Sequence, residues 1–222
     1  MQHQAVASSP VPLAAPGRGS ASVPVSVLLL GVRVTAYAVV NLVEHRRRRL
    51  ASLGAVVDPA LLDRLLDLPH GVCVPDPVAW TETADQPPAI AEHHEDGMTL
   101  TRRLASPLTI TDVVVGASAG RELRAVQEAS LFVGFTRRWV MIAGNRLAGR
   151  TMLEARLCGV GLLDSCREVL VPAEHPADRT VDGWSWLLEE RTYRRWLSAR
   201  SRNDEKGSPR PATGAASVTK AG

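Results

Sequence analysis

The chain has 222 residues, 45% of them apolar and 22% charged, which is enough to bury one sizeable core and excludes a wholly disordered or fibrous chain. Its only lysines are Lys206 and Lys220, so the body offers no ammonium for a Schiff base, a phosphate-binding P-loop or a lysine-assisted metal nuclease. The formal net charge of +3 is carried by the two ends, leaving residues 23–200 neutral and removing pI as a sign of nucleic-acid binding.

Residues 1–22 and 201–222 are rich in Ala, Ser, Pro and Gly and cannot bury enough apolar surface to offset their chain entropy, so both are expected to be disordered tails. Between them, residues 23–200 are expected to fold as one domain. Residues 23–43 are about as long as a bilayer requires, but Pro24, Gly31, Arg33 and Asn41 lie within the run. A central arginine costs about 2.5–3.5 kcal/mol on insertion scales, so we expect a buried strand there and no integral membrane partner. That strand covers Val23 to Val34. Thr35 then caps a helix that buries Tyr37, Val40 and Val43 on its way to Arg49.

Asp58-Pro59 predicts a short helix with Leu61, Leu62, Leu65 and Leu66 on its buried face. Residues 69–96, with five prolines, predict a long acidic loop carrying at most one edge strand. Met98 and Leu100 alternate as in a strand, and LTITDVVVG after Ser106-Pro107 reads as a central strand. A helix over 119–135, a strand over 138–144, a helix over 146–157, and two strands in GVGLLD and REVLVPA follow. From Trp184 an amphipathic helix places Trp186, Tyr193, Trp196 and Leu197 on one side. Strands alternating with helices predict an α/β fold: a single domain with a mixed β-sheet flanked by helices.

Charge is segregated along this body: +4 over 23–53, −8 over 54–96, +5 over 97–157 and −1 over 158–200. The +5 segment makes Arg121, Arg124, Arg137, Arg138, Arg146 and Arg150 candidate phosphate contacts. Arg191, Arg194 and Arg195, interleaved with aromatic residues, are a second basic cluster that could stack and clamp nucleic acid, although a helix docking its aromatic side also explains the pattern. Cys73, Cys158 and Cys166 are odd in number and lack CxxC spacing, which predicts neither a disulfide framework nor a zinc site and fits a reducing, cytoplasmic interior.

Two chemical constellations remain. Gly116-Ala117-Ser118-Ala119-Gly120 is a GxSxG between a predicted strand and helix, the context of a nucleophile elbow, with Asp164 and His175 downstream in the order of a serine hydrolase. Glu92-His93-His94-Glu95-Asp96 contains metal-ligand types, but adjacent histidines in a loop diverge and no third ligand stands at helical spacing. No cofactor is expected.

Residues 119–173 carry a helix RELRAVQEASLF, a strand RRWVMIAG, a short helix, a strand GVGLL and a strand EVLVPA. This succession resembles the C-terminal half of restriction-endonuclease-like (PD-(D/E)xK superfamily) domains. The resemblance implies a nucleic-acid partner and a metal-dependent carboxylate site, for which Asp96 and Asp112 are the available acids. The ExK position falls on Val115-Gly116-Ala117-Ser118, and reading Glu128-Ala129-Ser130 as a damaged motif again lacks the lysine. With neither a second carboxylate nor a cation to activate water, such a protein is expected to bind and not to cut.

Overall fold

The computed structural model describes residues 16, 21–67, 72–75, 91–93, 99–102, 105–144, 148–176 and 182–207. A six-stranded mixed sheet, in the order β1-β2-β6-β7-β8-β9, forms its centre. β1 (Val23–Leu29) and β2 (Val32–Val40) make an antiparallel hairpin closed by Leu30 and Gly31, whose φ angles of 50° and 79° are the paired left-handed values of a tight hairpin turn. The helix expected from Thr35 does not begin there. β2 continues to Val40, because Val32, Val34, Ala36 and Ala38 alternate onto the core face, and two alanines obscure that period in the sequence. α1 (Leu42–Leu50) starts only after Asn41, whose side chain accepts the Glu44 N–H at 3.1 Å. Residues 23–43 are thus mainly sheet, and no helix among the described residues is long and apolar enough to cross a membrane.

α1 also inverts the expected burial. Leu42, Val43 and Leu50 are exposed, whereas Glu44 and Arg48 are buried. α2 (Pro59–Asp67) follows the sequence reading: Asp58 Oδ1 accepts the N–H groups of Ala60 and Leu61, and Leu62 is buried against the rest of the domain. Within the expected acidic loop, β3 (Cys73–Pro75) and β4 (Ala91–His93) both pair with β5 (Thr99–Arg102) in a small second sheet ordered β3-β5-β4.

β6 (Leu108–Ala117) pairs antiparallel with β2 and parallel with β7 (Arg137–Ile142). A bulge opposite Tyr37 and Ala38 switches its phase: Leu108 and Ile110 face the core before it, Val113, Val115 and Ala117 after it. Asp112 is thereby turned to the opposite face. The parallel pairs β6–β7 and β7–β8 need crossovers, supplied by α3 (Glu122–Ser130) and α4 (Gly149–Leu157). α3 is shorter than the 119–135 expected, giving way to turns in which Gly134 has a φ of 75° and Val133 is exposed. β8 (Gly161–Leu163) and β9 (Val169–Val171) close the sheet as an antiparallel pair.

α5 (Gly183–Gly207) buries Trp186, Tyr193 and Trp196 as expected, but runs seven residues beyond the domain boundary placed at 200. One sheet face, with α3, α4 and α5, forms the main core around Leu29, Val126, Phe132, Val140 and Leu162. On the other face Tyr37, Val114, Trp139, Leu163 and Ala173 form a second apolar cluster. The Trp139 ring lies where a side chain on Gly161 would stand, so only glycine fits there.

Candidate anion-binding cavity

Among the described residues, those singled out in the sequence are not all brought to one place. Arg137 and Arg138 are neighbours on β7 and therefore point to opposite sheet faces. Arg137 clamps Asp112, with Nε and Nη2 at 2.8 and 2.9 Å from its two oxygens. Trp139 Nε1 donates to the same carboxylate at 2.9 Å. Asp112 is 1% exposed, and its two oxygens accept three hydrogen bonds from a guanidinium and an indole, the arrangement of a structural acid. Arg138 is buried on the core side, where desolvation holds its pKa below the ordinary arginine value against the opposing charge of Glu174 and Cys158. Arg124 pairs with Glu128 at 2.9 Å. Arg121 and Arg150 are exposed at the starts of α3 and α4. Arg146 and Asp96 lie outside the described residues, as do His94 and Glu95. Among the described residues no cluster of three or more His, Cys, Asp or Glu side chains could hold a metal.

The hydrolase constellation is not assembled either. Ser118 is exposed in the connection from β6 to α3, at the carboxyl end of the parallel strands. β9 runs back along β8, and the Glu174 N–H donates to Gly159 O, which brings His175 level with Asp112 near the opposite sheet edge. Ser118 is six residues farther along β6, roughly 20 Å at about 3.3 Å per residue. Asp164 does lie at the Ser118 edge, but its Oδ1 accepts the N–H groups of Cys166 and Glu168 at 2.8 and 2.7 Å and so pins the β8–β9 turn.

What the fold does assemble is a cavity of about 710 Å³ between β1 and α5. Its α5 wall is a direct consequence of helical period: Arg191, Arg194, Arg195 and Ser198 stand at i, i+3, i+4 and i+7 and share one stripe. The adjoining stripe docks Leu188, Tyr193 and Trp196 into the core, which fixes the rotation of the helix. Arg33 of β2 contributes a fourth guanidinium, while Ser26 and Leu28 of β1 and Val57 supply a hydroxyl and apolar surface.

α5 is held in register by a buried ion pair. Arg48 and Glu190, both fully buried, are joined by two hydrogen bonds of 2.8 Å. Glu190 also accepts the Val56 N–H at 2.9 Å and Trp186 Nε1 at 3.2 Å, so one carboxylate joins α1, the segment before α2, and α5. Burial alone would favour the neutral form of Arg48, but Glu190 and Glu44 hold it charged and raise its pKa.

Among the described residues no acid lines the cavity. Among the described residues no carboxylate pairs with Arg33, Arg191, Arg194 or Arg195. Arg195 instead donates from Nε to Ser26 O at 3.3 Å, which also occupies an acceptor on the free edge of β1. Guanidinium groups converging without counterions raise the local positive potential, and their planar forks match the oxygens of a phosphate. Sequence reasoning favoured the arginines of 97–157 over these; the signal that marks them is the i, i+3, i+4, i+7 spacing. Comparison of the chain with family models, with curated proteins and with solved structures yields no match.

Proposed function

We propose that the protein is a non-catalytic, nucleic-acid-associated binding module that engages phosphate groups through the cavity between β1 and α5. The observation that carries this reading is the presence of Arg33, Arg191, Arg194 and Arg195 around one concavity that is lined, among the described residues, by no acid. The resemblance of residues 119–173 to restriction-endonuclease-like domains belongs to the same proposal, supported by the succession α3, β7, α4, β8, β9. A binding role without cleavage is supported by the absence of lysine before Lys206 and by the engagement of Asp112 with Arg137 and Trp139. A reducing, cytoplasmic setting is supported by the three free cysteines.

Fluorescence anisotropy with labelled single-stranded and duplex oligonucleotides at increasing salt tests the proposal. Binding should weaken steeply as salt rises, and replacing Arg191 and Arg194 with alanine should flatten the salt slope by roughly one unit per lost phosphate contact. Replacing Arg137 should leave that slope unchanged, because its guanidinium is committed to Asp112. Absence of salt-sensitive binding, together with covalent labelling of Ser118 by a fluorophosphonate, would overturn the proposal in favour of a hydrolase.

A further inference from the structure

We infer that the arginine cavity takes a terminal polyphosphate carried on a nucleoside, in preference to the internal backbone of a strand. This rests on the reading of the cavity as a phosphate site. The argument begins with charge density. Arg191 and Arg195 are four residues apart on α5, about 6 Å along the axis at 1.5 Å per residue. Arg194 lies between them in the stripe, and Arg33 adds a fourth positive charge from the sheet. A nucleic-acid strand carries about one negative charge per 3.4 Å of axis, so over that length it presents roughly two phosphates. A di- or triphosphate concentrates three or four charges in the same space and matches the four guanidiniums.

The size agrees with that match. A volume of about 710 Å³ falls within the roughly 300–1,000 Å³ of small-ligand pockets. Among the described residues its walls also carry none of the stacking aromatics of a strand-binding platform: Trp186, Tyr193 and Trp196 are buried in the domain. Leu28, 62% exposed, and the half-buried Val57 instead offer an aliphatic surface for a sugar or base, with the Ser26 and Ser198 hydroxyls at hand for the ribose or phosphate oxygens. The chemistry is that of a nucleoside 5′-polyphosphate, whether free or at the 5′ end of an RNA.

Anisotropy and calorimetry on the full chain test this with four probes: ATP, tripolyphosphate, adenosine, and one RNA bearing either a 5′-triphosphate or a 5′-hydroxyl. ATP should bind and adenosine should not. Tripolyphosphate should bind at least about tenfold more weakly than ATP, the equivalent of about 1.4 kcal/mol from the nucleoside contacts. A preference for the 5′-triphosphate RNA over its 5′-hydroxyl form identifies a strand end as the source; ATP binding without that preference identifies a free nucleotide. Arg33→Ala and Arg194→Ala, each at an exposed position, should abolish ATP binding with an unchanged melting curve. Equal affinity for both RNA ends without displacement by ATP would refute the inference and leave the phosphate-binding module standing. Tripolyphosphate binding as tightly as ATP would remove the nucleoside. Salt-insensitive or absent binding of every probe would remove the parent reading along with the inference.

Discussion

Replacing Arg48 with methionine probes the joint on which the cavity depends. The side chain is completely buried, so methionine retains most of its apolar volume and removes only the guanidinium. Glu190, equally buried, then keeps the Val56 N–H and the Trp186 indole as donors but loses its cationic partner, and Glu44 loses one of its two arginines. Breaking a buried pair from one side costs about 3–5 kcal/mol, because a carboxylate is left without its counter-charge. At about 2–4 °C per kcal/mol for a domain of this size, the melting temperature should fall by roughly 6–20 °C. The double variant Arg48→Met, Glu190→Gln restores a neutral site whose carbonyl still accepts one of the two donors. It should be more stable than Arg48→Met alone, with a coupling of about 0.5–3 kcal/mol between the two positions. Urea melts at pH 7 measure both differences. A single variant that loses less than about 1 kcal/mol, or a double variant whose loss is the sum of the singles, would show that the pair does not hold α1 to α5.

Gly161→Ala should destabilise the domain by about 1–3 kcal/mol in the same melts, since the added Cβ would meet Trp139 Cζ3 at 2.5 Å and Ala173 Cβ at 2.8 Å, and neither buried neighbour has room to move. Asp112→Asn should cost about 1.5–3 kcal/mol through the weakened Arg137 and Trp139 bonds. The parent protein should show no Mg²⁺- or Mn²⁺-dependent DNA cleavage for that variant to abolish; cleavage lost with Asp112→Asn would identify a metal acid instead. Burial together with the positive charges of Arg200 and Arg49 keeps the His45 pKa below its usual 6.5, so the stability linked to neutral His45 is present above pH 6.5 and declines as pH falls below it; His45→Gln should flatten that part of a pH series of melts. Glu44 behaves alike at lower pH: burial opposes its ionisation, but Arg47 and Arg48 prevail and hold its pKa below 4.5, so its contribution is present above that value and is lost with further acidification.

The strands and helices that the chain could specify locally are those that appear where expected. The β-branched run of LTITDVVVG, the Asp58-Pro59 start of α2 and the aromatic stripe of α5 each carry a short-range signal strong enough to act alone. The absence of lysine from the body is likewise a property of the sequence, and it bears on chemistry before any contact is known. Tertiary structure decided the remainder. Thr35 and Asn41 can both begin a helix, and the choice fell to Asn41 because residues 32–40 complete the sheet beside β6. Arg48 is buried in α1 where Glu190, 142 residues farther along the chain, meets it, and Glu44 is buried beside it as a second partner of the same guanidinium. The bulge in β6 turns Asp112 from a candidate metal ligand into the anchor of Arg137, and the reversed direction of β9 carries His175 away from Ser118. Arg33 and Arg191, Arg194 and Arg195 come from opposite ends of the chain, and nothing local records that they share a cavity. A sequence fixes which residues are neighbours along a helix or strand; which distant charges are left facing one another is settled only when the apolar faces of β1, β2 and α5 have been buried, because that burial sets the rotation of each element and thereby the direction of every side chain on its other face.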